Sequence, residues 1–358
     1  MREKPLKTAV LGLNESGRLL LEAVQGLDYF TIVAVADSDT KLAHQEALLY
    51  KCAPYDDYRQ LITQNQLDCL FVAAPIHTCA EYLRMALKKK FNILKLPPLA
   101  RNFSESAELT KLAKAEGVSM VVASPDRFSQ SALALRNFIQ ENSSEQFFFI
   151  FAGAGAKKVK KGSGPFFQDP FSQKWRSDPV VAGGGVVLYD CWEVIDWIVW
   201  NFGVPQQVYC VAGNTSLDRQ QRLYLTEDTA TITMKFSVAL SGTILAGKAA
   251  SSFGHPGSPG QKWLIAQNQD SIVKIDDKHF EVSDTQGKIL RKNDFDDDYI
   301  GGMKKVLENF GANLLSPENS PLVCTSEENL KNMAVIEAAY LSARTGMPEE
   351  PGRILKIA

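Results

Sequence analysis

The sequence predicts an α/β protein: an N-terminal doubly wound parallel sheet, then an α+β domain with a large, open, mostly antiparallel sheet. Three observations predict it. From residue 1 to about 125, short apolar runs alternate with segments of helical apolar spacing, the pattern of right-handed β–α–β crossovers. Beyond that point strand-like segments follow one another with short turns. The length of 358 residues exceeds one ordinary core and suits two domains, placed at 1–125 and 126–358.

KTAVLG at residue 7 reads as a short buried strand, and GLNESG leads from it into RLLLEAVQGL, whose apolar positions recur at helical spacing. TIVAVA is a second strand, ending at Asp37, and KLAHQEALLY a second helix. LDCLFVAA, FNILKL and VSMVVAS are further strands, with CAEYLRMALKKK and SESAELTKLAKAEG as the helices between them. In the second domain SALALRNFI is a helix and QFFFIFAG a strand. A Gly/Lys/Pro-rich loop, AGAKKVKKGSGPFFQDP, follows. GGGVVLYDCWEVIDWIVWNFG combines a glycine start with a helical stripe. QQVYCVAGNT, TATITMKFSV, GTILAGKAAS, QKWLIAQNQ and DSIVKIDD are sequential strands. Helices around DYIGGMKKVLENFGANLL and SEENLKNMAVIEAAYLSARTG close the chain.

Bulk properties exclude several classes. A net charge of −2 supplies no basic field for nucleic acid or an anionic membrane. No run approaches the ~20 apolar residues of a membrane span, and the N-terminus lacks the apolar core of a signal peptide. The six cysteines are scattered without a CxxC pair, which suits reduced thiols in a cytoplasmic protein. The four histidines form no ligand pair, and no metal site is expected. Asp294 and Asp296 to Asp298 lack the glycine and terminal glutamate of a calcium loop and read as a charged helix entrance.

Strand, GLNESG, helix, then an acid ending the next strand is the dinucleotide-binding layout of a Rossmann domain. Gly12 permits the tight turn, and Gly17 lets helix and strand pack closely. The helix N-terminus offers free N–H groups and a positive dipole end to a pyrophosphate. Asp37, twenty residues after Gly17, is placed to hold the adenosine ribose hydroxyls. Asn14 replaces the middle glycine and is read as a residue tolerant of positive φ; Glu15 adds a negative charge beside it. Asp37 is followed by Ser38 and no nearby arginine, which favours NAD, while Lys41 leaves NADP open. A turn of this shape that no longer binds nucleotide is the plain structural alternative.

Nearly the whole chain resembles the Gfo/Idh/MocA oxidoreductases, the family of glucose–fructose oxidoreductase and inositol dehydrogenase. The resemblance rests on GLNESG, VAVADSD, PYDDYRQLI, the stretch from LDCLFVAAPIHTCAEY to KLPPLA, DRF at residue 126, KWRSDPVVAGGGVVLYDCWEVID and the last long helix. It implies a Rossmann domain, an α/β second domain whose open sheet serves as an oligomer interface (a dimer or tetramer), and hydride transfer between nicotinamide and a small sugar- or cyclitol-like substrate. By the same resemblance Gly12, Asn14, Glu15, Ser16, Gly17, Asp37, Ser38, Ala74, Pro75 and His77 contact the cofactor, and Arg127, Trp175 and Arg176 the substrate.

The chain departs from the family at the reaction centre. The family's Glu-Lys-Pro aligns with Leu96, Pro97 and Pro98, so the usual lysine is missing. Tyr189 stands at the usual Asp, Glu193 at the usual His, Ile76 at a common cofactor-contact Asn and Cys79 at a common His. Three substitutes are candidates for the proton transfer that accompanies hydride transfer. Lys95 leaves an extended strand on the same face as Pro97 and is placed to reach the reaction cleft. Tyr189 and Glu193, four apart on an expected helix, share a face and can pair. The plain alternatives are that Lys95 caps strand-end carbonyls, that Tyr189 and Glu193 are structural, that Trp175 and Arg176 pack a loop, and that KKVKK at 157–161 is a solvated loop. Two functions therefore stand: an NAD(P)-dependent oxidoreductase with an altered centre, or an inactive relative that binds nucleotide or a sugar-like ligand or serves as a partner subunit. In either case a sharply turned or cis Pro97–Pro98 bond is expected.

Overall fold

The computed structural model describes residues 4–143, 146–155, 174–218, 220, 224–248, 250 and 262–357. The predicted Gly/Lys/Pro-rich loop from residue 156 onward, with KKVKK, lies outside them. The chain divides into two compact units.

The first unit comprises the described residues through Pro125 together with Asp298–Asn329. Its strands are β1 (Leu6–Leu11), β2 (Phe30–Ala36), β3 (Ala53–Tyr55), β4 (Cys69–Val72), β5 (Asn92–Lys95) and β6 (Met120–Val122). Between them run α1 (Glu15–Val24), α2 (Thr40–Tyr50), α3 (Tyr58–Gln64), α4 (Ile76–Lys88) and α5 (Phe103–Glu116). The sheet order is β3-β2-β1-β4-β5-β6, parallel throughout. β1 and β4 are neighbours, so the strand order reverses there, the switch point at which doubly wound folds bind ligands beyond the strand carboxyl ends. Side chains cover both faces, so Cys69, Leu70, Phe71 and Val72 are all buried in β4. β3 and α3 were not anticipated as elements.

The helix Tyr299–Leu315 was expected in the second domain and instead packs in the first unit. Phe310 stacks near Phe30 and Phe71, at ring-centroid distances of 6.4 Å from each. A Cβ at Gly311 would lie 2.7 Å from Tyr29, so the chains approach closely there. Aromatic burial against residues nearly three hundred positions earlier decides this placement. Asp298 caps the helix by accepting the Gly301 N–H at 2.6 Å, as a charged helix entrance requires.

The second unit holds the described residues of Asp126–Asp297 and Leu330–Ala358. Its strands are β7 (Phe149–Ala154), β8 (Gln207–Gly213), β9 (Thr229–Lys235), β10 (Ser241–Gly247), β11 (Lys262–Gln267), β12 (Ser271–Asp276), β13 (His279–Asp284) and β14 (Ile289–Asp294). They form one sheet in the order β14-β13-β12-β11-β7-β10-β9-β8, antiparallel except where β7 meets β10. The β13–β14 hairpin extends the sheet beyond the strands read from sequence. One face is apolar and buried: Ile150, Ala152, Ile232, Ile244, Leu264 and Val273 lie on it. The register aligns Tyr209, Thr233, Thr243, Phe151, Ile265, Lys274 and Glu281 in a row on the other face. Tyr209 and Val211 are exposed there.

The single helix expected after the glycine run is broken. It forms α6 (Val186–Tyr189) and α7 (Trp192–Phe202), separated at Asp190–Cys191. Gly184 and Gly185 are required because a Cβ would lie 1.9 Å from Tyr340 Oη and 2.0 Å from the Glu227 carbonyl oxygen.

Candidate active site

In the first unit the predicted cofactor residues converge at the carboxyl ends of β1, β2 and β4. Gly12 has φ +84°, and a Cβ on it would lie 2.4 Å from Ala74 N; a Cβ on Gly17 would lie 1.9 Å from Gly12 O. The turn and the close helix packing therefore both demand glycine. Asp37 is fixed in place: Oδ2 accepts the Leu13 N–H at 2.7 Å and Oδ1 the Asp39 N–H at 2.9 Å. Ser38 and His77 are exposed beside these ends, and Pro75 precedes α4. Partial burial, and secondarily Arg101, hold the His77 imidazole pKa below its ordinary value.

Asn14 corrects one expectation. Its φ is −51°, not positive, and its side chain caps α1 by accepting the Gly17 N–H at 3.1 Å while Nδ2 donates to Ala73 O at 3.3 Å. One of the helix's free N–H groups is thus taken by the protein. Those of Glu15 and Ser16 have no acceptor among the described residues. Glu15 itself titrates above its ordinary value, through partial desolvation opposed by Arg18. Two free N–H groups at the helix start, a close-packed glycine turn and a fixed carboxylate at the end of β2 fit an NAD pyrophosphate and ribose.

Lys95 is buried rather than placed on an open face. It is 3% exposed, and Nζ donates to the Leu96 carbonyl at 2.6 Å. Burial holds its pKa below the ordinary value, opposed by the Cys79 thiol nearby. β5 is covered on both faces, so sharing a face with Pro97 does not lead to open space. Pro97–Pro98 is cis, as expected.

In the second unit the predicted substrate residues separate. Arg127 is buried and forks onto Asp196, with Nε and Nη2 donating at 2.9 and 2.6 Å; Asn332 also donates to that carboxylate at 2.7 Å. Its partner lies 69 residues away, and the guanidinium expected to meet the substrate is engaged in an internal ion pair. Trp175, Arg176 and Tyr189 do come together. The Arg176 guanidinium lies 4.6 Å from the Tyr189 ring centroid and 5.5 Å from that of Trp175. Tyr189 Oη donates to Ala182 O at 2.8 Å.

Glu193, on α7, is held by Lys262 at 2.8 Å rather than pairing along one helix with Tyr189. Lys262 also binds Asp126 and reaches Asp277 at 3.4 Å. Three carboxylates thus surround one ammonium. Burial, with Glu193 and Asp277 adding to it and Lys262 opposing, pushes Asp126 up to about 7. Glu227 is the other group the sequence did not reveal. Its carboxylate accepts the Gly185 N–H at 2.9 Å, the Val187 N–H at 3.1 Å and the Tyr340 O–H at 2.7 Å, fixing the glycine turn. These partners lie 40 to 113 residues apart, beyond any local pattern.

A doubly wound unit with an acid-ended second strand, joined to an open-sheet unit, defines a two-domain dinucleotide-binding protein. Residues 6–124 match the NAD-binding Rossmann fold of the oxidoreductase family Gfo/Idh/MocA, and residues 165–350 match that family's C-terminal alpha/beta domain. The chain belongs to this family. It is 30% identical over 112 residues to dTDP-3,4-didehydro-2,6-dideoxy-alpha-D-glucose 3-reductase of Saccharopolyspora spinosa, covering 31% of this chain and 34% of that protein. It thus spans about a third of the length of that relative. It is 22% identical to D-xylose 1-dehydrogenase (NADP(+)) 2 of Haloferax volcanii, over 96% of this chain and 98% of that one. Its fold is shared by an oxidoreductase from Agrobacterium radiobacter, solved with NAD+, L-tartaric acid and magnesium: TM-score 0.81, 15% identity, covering 98% and 99% of the two chains.

Proposed function

We propose that the protein is an NAD(P)-dependent oxidoreductase that moves a hydride between nicotinamide and a hydroxyl or carbonyl carbon of a small sugar- or cyclitol-like molecule. The carrying observation is the Asp37 carboxylate, fixed by the Leu13 N–H beside the start of α1. Asp37 would hold the ribose hydroxyls, and the Glu15 and Ser16 N–H groups the pyrophosphate. Asp37 repels a 2′-phosphate, which favours NAD. When bound, the nicotinamide supplies the hydride-exchanging carbon.

The chain's own task is to manage the hydroxyl proton. Lys95 is buried, and the Tyr189 hydroxyl donates its hydrogen bond to Ala182 O. Glu193 takes the role. Its side chain is 35% exposed, so it keeps access to solvent, and Lys262 orients it as a carboxylate. Glu193 accepts the proton as the substrate C–H yields its hydride and returns it in the reverse direction. Binding of NADH, followed by fluorescence, and its oxidation by a panel of keto-sugars test the proposal. NADH binding without oxidation would favour the inactive relative, and binding of neither NADH nor NADPH would exclude both enzyme and nucleotide-binding roles.

The same reading extends to assembly and location. The row of Tyr209, Phe151 and Ile265 on the open sheet face supports a homo-oligomer built there. The six cysteines form no disulfide, which supports a reducing, cytoplasmic setting. No helix among the described residues is long and apolar enough to cross a membrane.

A further inference from the structure

We propose that Asp126 is a positioning residue that tunes the proton affinity of Glu193 through the ammonium they share, Lys262; this rests on the oxidoreductase function above, in which Glu193 handles the substrate proton. Three observations carry it. First, the charges do not balance. An ammonium has three N–H donors, and those of Lys262 meet three carboxylates: Asp126, Glu193 at 2.8 Å and Asp277 at 3.4 Å. With all three ionised, the group holds three negative charges against one positive. Like charges at one site oppose each other's ionisation, so the group keeps a proton more readily than a lone carboxyl does.

Second, burial decides which member keeps that proton. The Asp126 side chain is 15% exposed, against 35% for Glu193 and 38% for Asp277, and the charged form is the costlier one to bury. Burial thus pushes Asp126 up to about 7; Lys262 opposes it, and Glu193 and Asp277 add to it. Among the described residues these are the charged groups that face it, from β11, α7 and the β12–β13 turn; Arg127, next in the chain, is committed to Asp196. Third, Lys262 is held within the group. Its side chain is 13% exposed, its backbone pairs with Ala154 where β11 meets β7, and Nζ lies 5.2 Å from the ring centroid of Trp197, one turn beyond Glu193 on α7. The Asp126 carbonyl is also fixed, accepting the Ser129 N–H at 3.0 Å and the Ser129 hydroxyl at 2.9 Å. The ammonium therefore redistributes among its three partners instead of swinging out to water.

The consequence falls on Glu193. While Asp126 carries a proton, the ammonium serves Glu193, stabilises its carboxylate and keeps it a weak base. Once Asp126 ionises, the ammonium divides its attraction, and the added negative charge raises the proton affinity of Glu193. A base works best when its pKa approaches the operating pH, so ionised Asp126 is the activating state for oxidation of a hydroxyl. In each turnover the substrate O–H breaks, a Glu193 O–H forms, and that proton passes on to water; Asp126 touches neither the substrate nor this proton. The coupling is mutual, so protonation of Glu193 makes Asp126 more acidic in turn.

The test is a carboxyl ¹³C NMR titration of the full-length protein, labelled at aspartate Cγ and glutamate Cδ, between about pH 5 and 9, a span centred on the Asp126 value. One aspartate signal is expected to titrate near neutrality and to vanish in Asp126→Asn. The Glu193 signal, identified by its loss in Glu193→Gln, should respond at the same midpoint in the wild type and stay flat there in Asp126→Asn. The wild-type Glu193 response carries the test without any substitution at 126. Over the same window, kcat/KM for NAD⁺-dependent oxidation of at least one of D-glucose, D-xylose and myo-inositol should rise about 3- to 10-fold through that midpoint, the effect of up to one unit of coupling between the two sites. Asp126→Asn should lose the rise, and Asp126→Glu should retain it. The proposal is overturned if no aspartate titrates near neutrality, if that titration survives in Asp126→Asn, if Glu193 does not respond at its midpoint, or if the rate step persists in Asp126→Asn. Absence of any oxidation would count against the oxidoreductase function alone, since the carboxyl titration decides the coupling without substrate.

Discussion

Replacing Lys95 by Met should stabilise the protein. The change removes the ammonium and keeps the apolar stem. In the structure Lys95 lies inside β5, and its one hydrogen bond among the described residues goes to the Leu96 carbonyl at 2.6 Å. Losing that bond costs about 1 kcal/mol, and the carbonyl left behind costs ~1–3 kcal/mol. Against this stands relief of a buried charge, a penalty of several kcal/mol even after relaxation. The balance favours the variant by about 1–2 kcal/mol at pH 7, read from urea unfolding. The pH dependence has a definite sign. Burial lowers the Lys95 pKa from 10.5 in the folded chain, so at neutral pH the unfolded state binds the proton more readily. Wild-type stability therefore gains from this group as pH rises toward 10.5, and the advantage of the variant shrinks over that window. Destabilisation by more than about 1 kcal/mol, or a hundredfold loss of activity with cofactor binding intact, would refute a purely internal lysine.

Three further outcomes follow from named contacts. Asp37→Asn keeps an acceptor for the Leu13 N–H but removes the charge, so NADPH should gain on NADH by about tenfold in paired fluorescence titrations; an unchanged ratio counts against the ribose role. Lys262→Met strands Asp126, Glu193 and Asp277 together and should cost about 3 kcal/mol at pH 7. Asp126 is raised from 3.8 to about 7, so its contribution is full below pH 3.8 and is lost as pH rises through about 7; the cost of the variant should therefore grow across that window, and a flat profile would contradict the cluster. Light scattering should show a particle larger than the 39.5 kDa chain, and Val211→Glu, on the exposed sheet face, should shrink it; a monomer at micromolar concentration would exclude the sheet interface.

The fold was legible wherever local pattern decides it. Apolar strands alternating with helices marked β1, β2 and β4 to β6, and the glycines at 12 and 17 sit where backbones meet. β3 spans only Ala53–Tyr55 at the sheet edge, too short to show a period. The helix Tyr299–Leu315 reads correctly as a helix, but its sequence says nothing of the aromatic pocket that fixes it in the first unit. The candidate site was legible in part. Asp37, Trp175, Arg176 and Tyr189 stand among suitable neighbours. Lys95 misled because period-two reasoning presumes one open face, and an interior parallel strand has none. Arg127 misled because its carboxylate, Asp196, arrives from another helix. Asn14 conforms to helix capping rather than to glycine mimicry, and its own three-residue spacing to Gly17 was the available signal.

Transfer of deuterium from [4-²H]NADH to a carbonyl carbon tests the central claim most directly. The purified protein is incubated with the cofactor and a panel of keto-sugars and keto-cyclitols, and the products are read by mass spectrometry. Both C4 stereoisomers of the cofactor are used, so the result does not depend on which face of the ring reacts. The account predicts that one isomer places deuterium on the former carbonyl carbon of at least one compound, and that Glu193→Gln lowers the transfer about 10²- to 10⁴-fold with NADH binding retained. Saturable NADH binding with no deuterium in any product would contradict it.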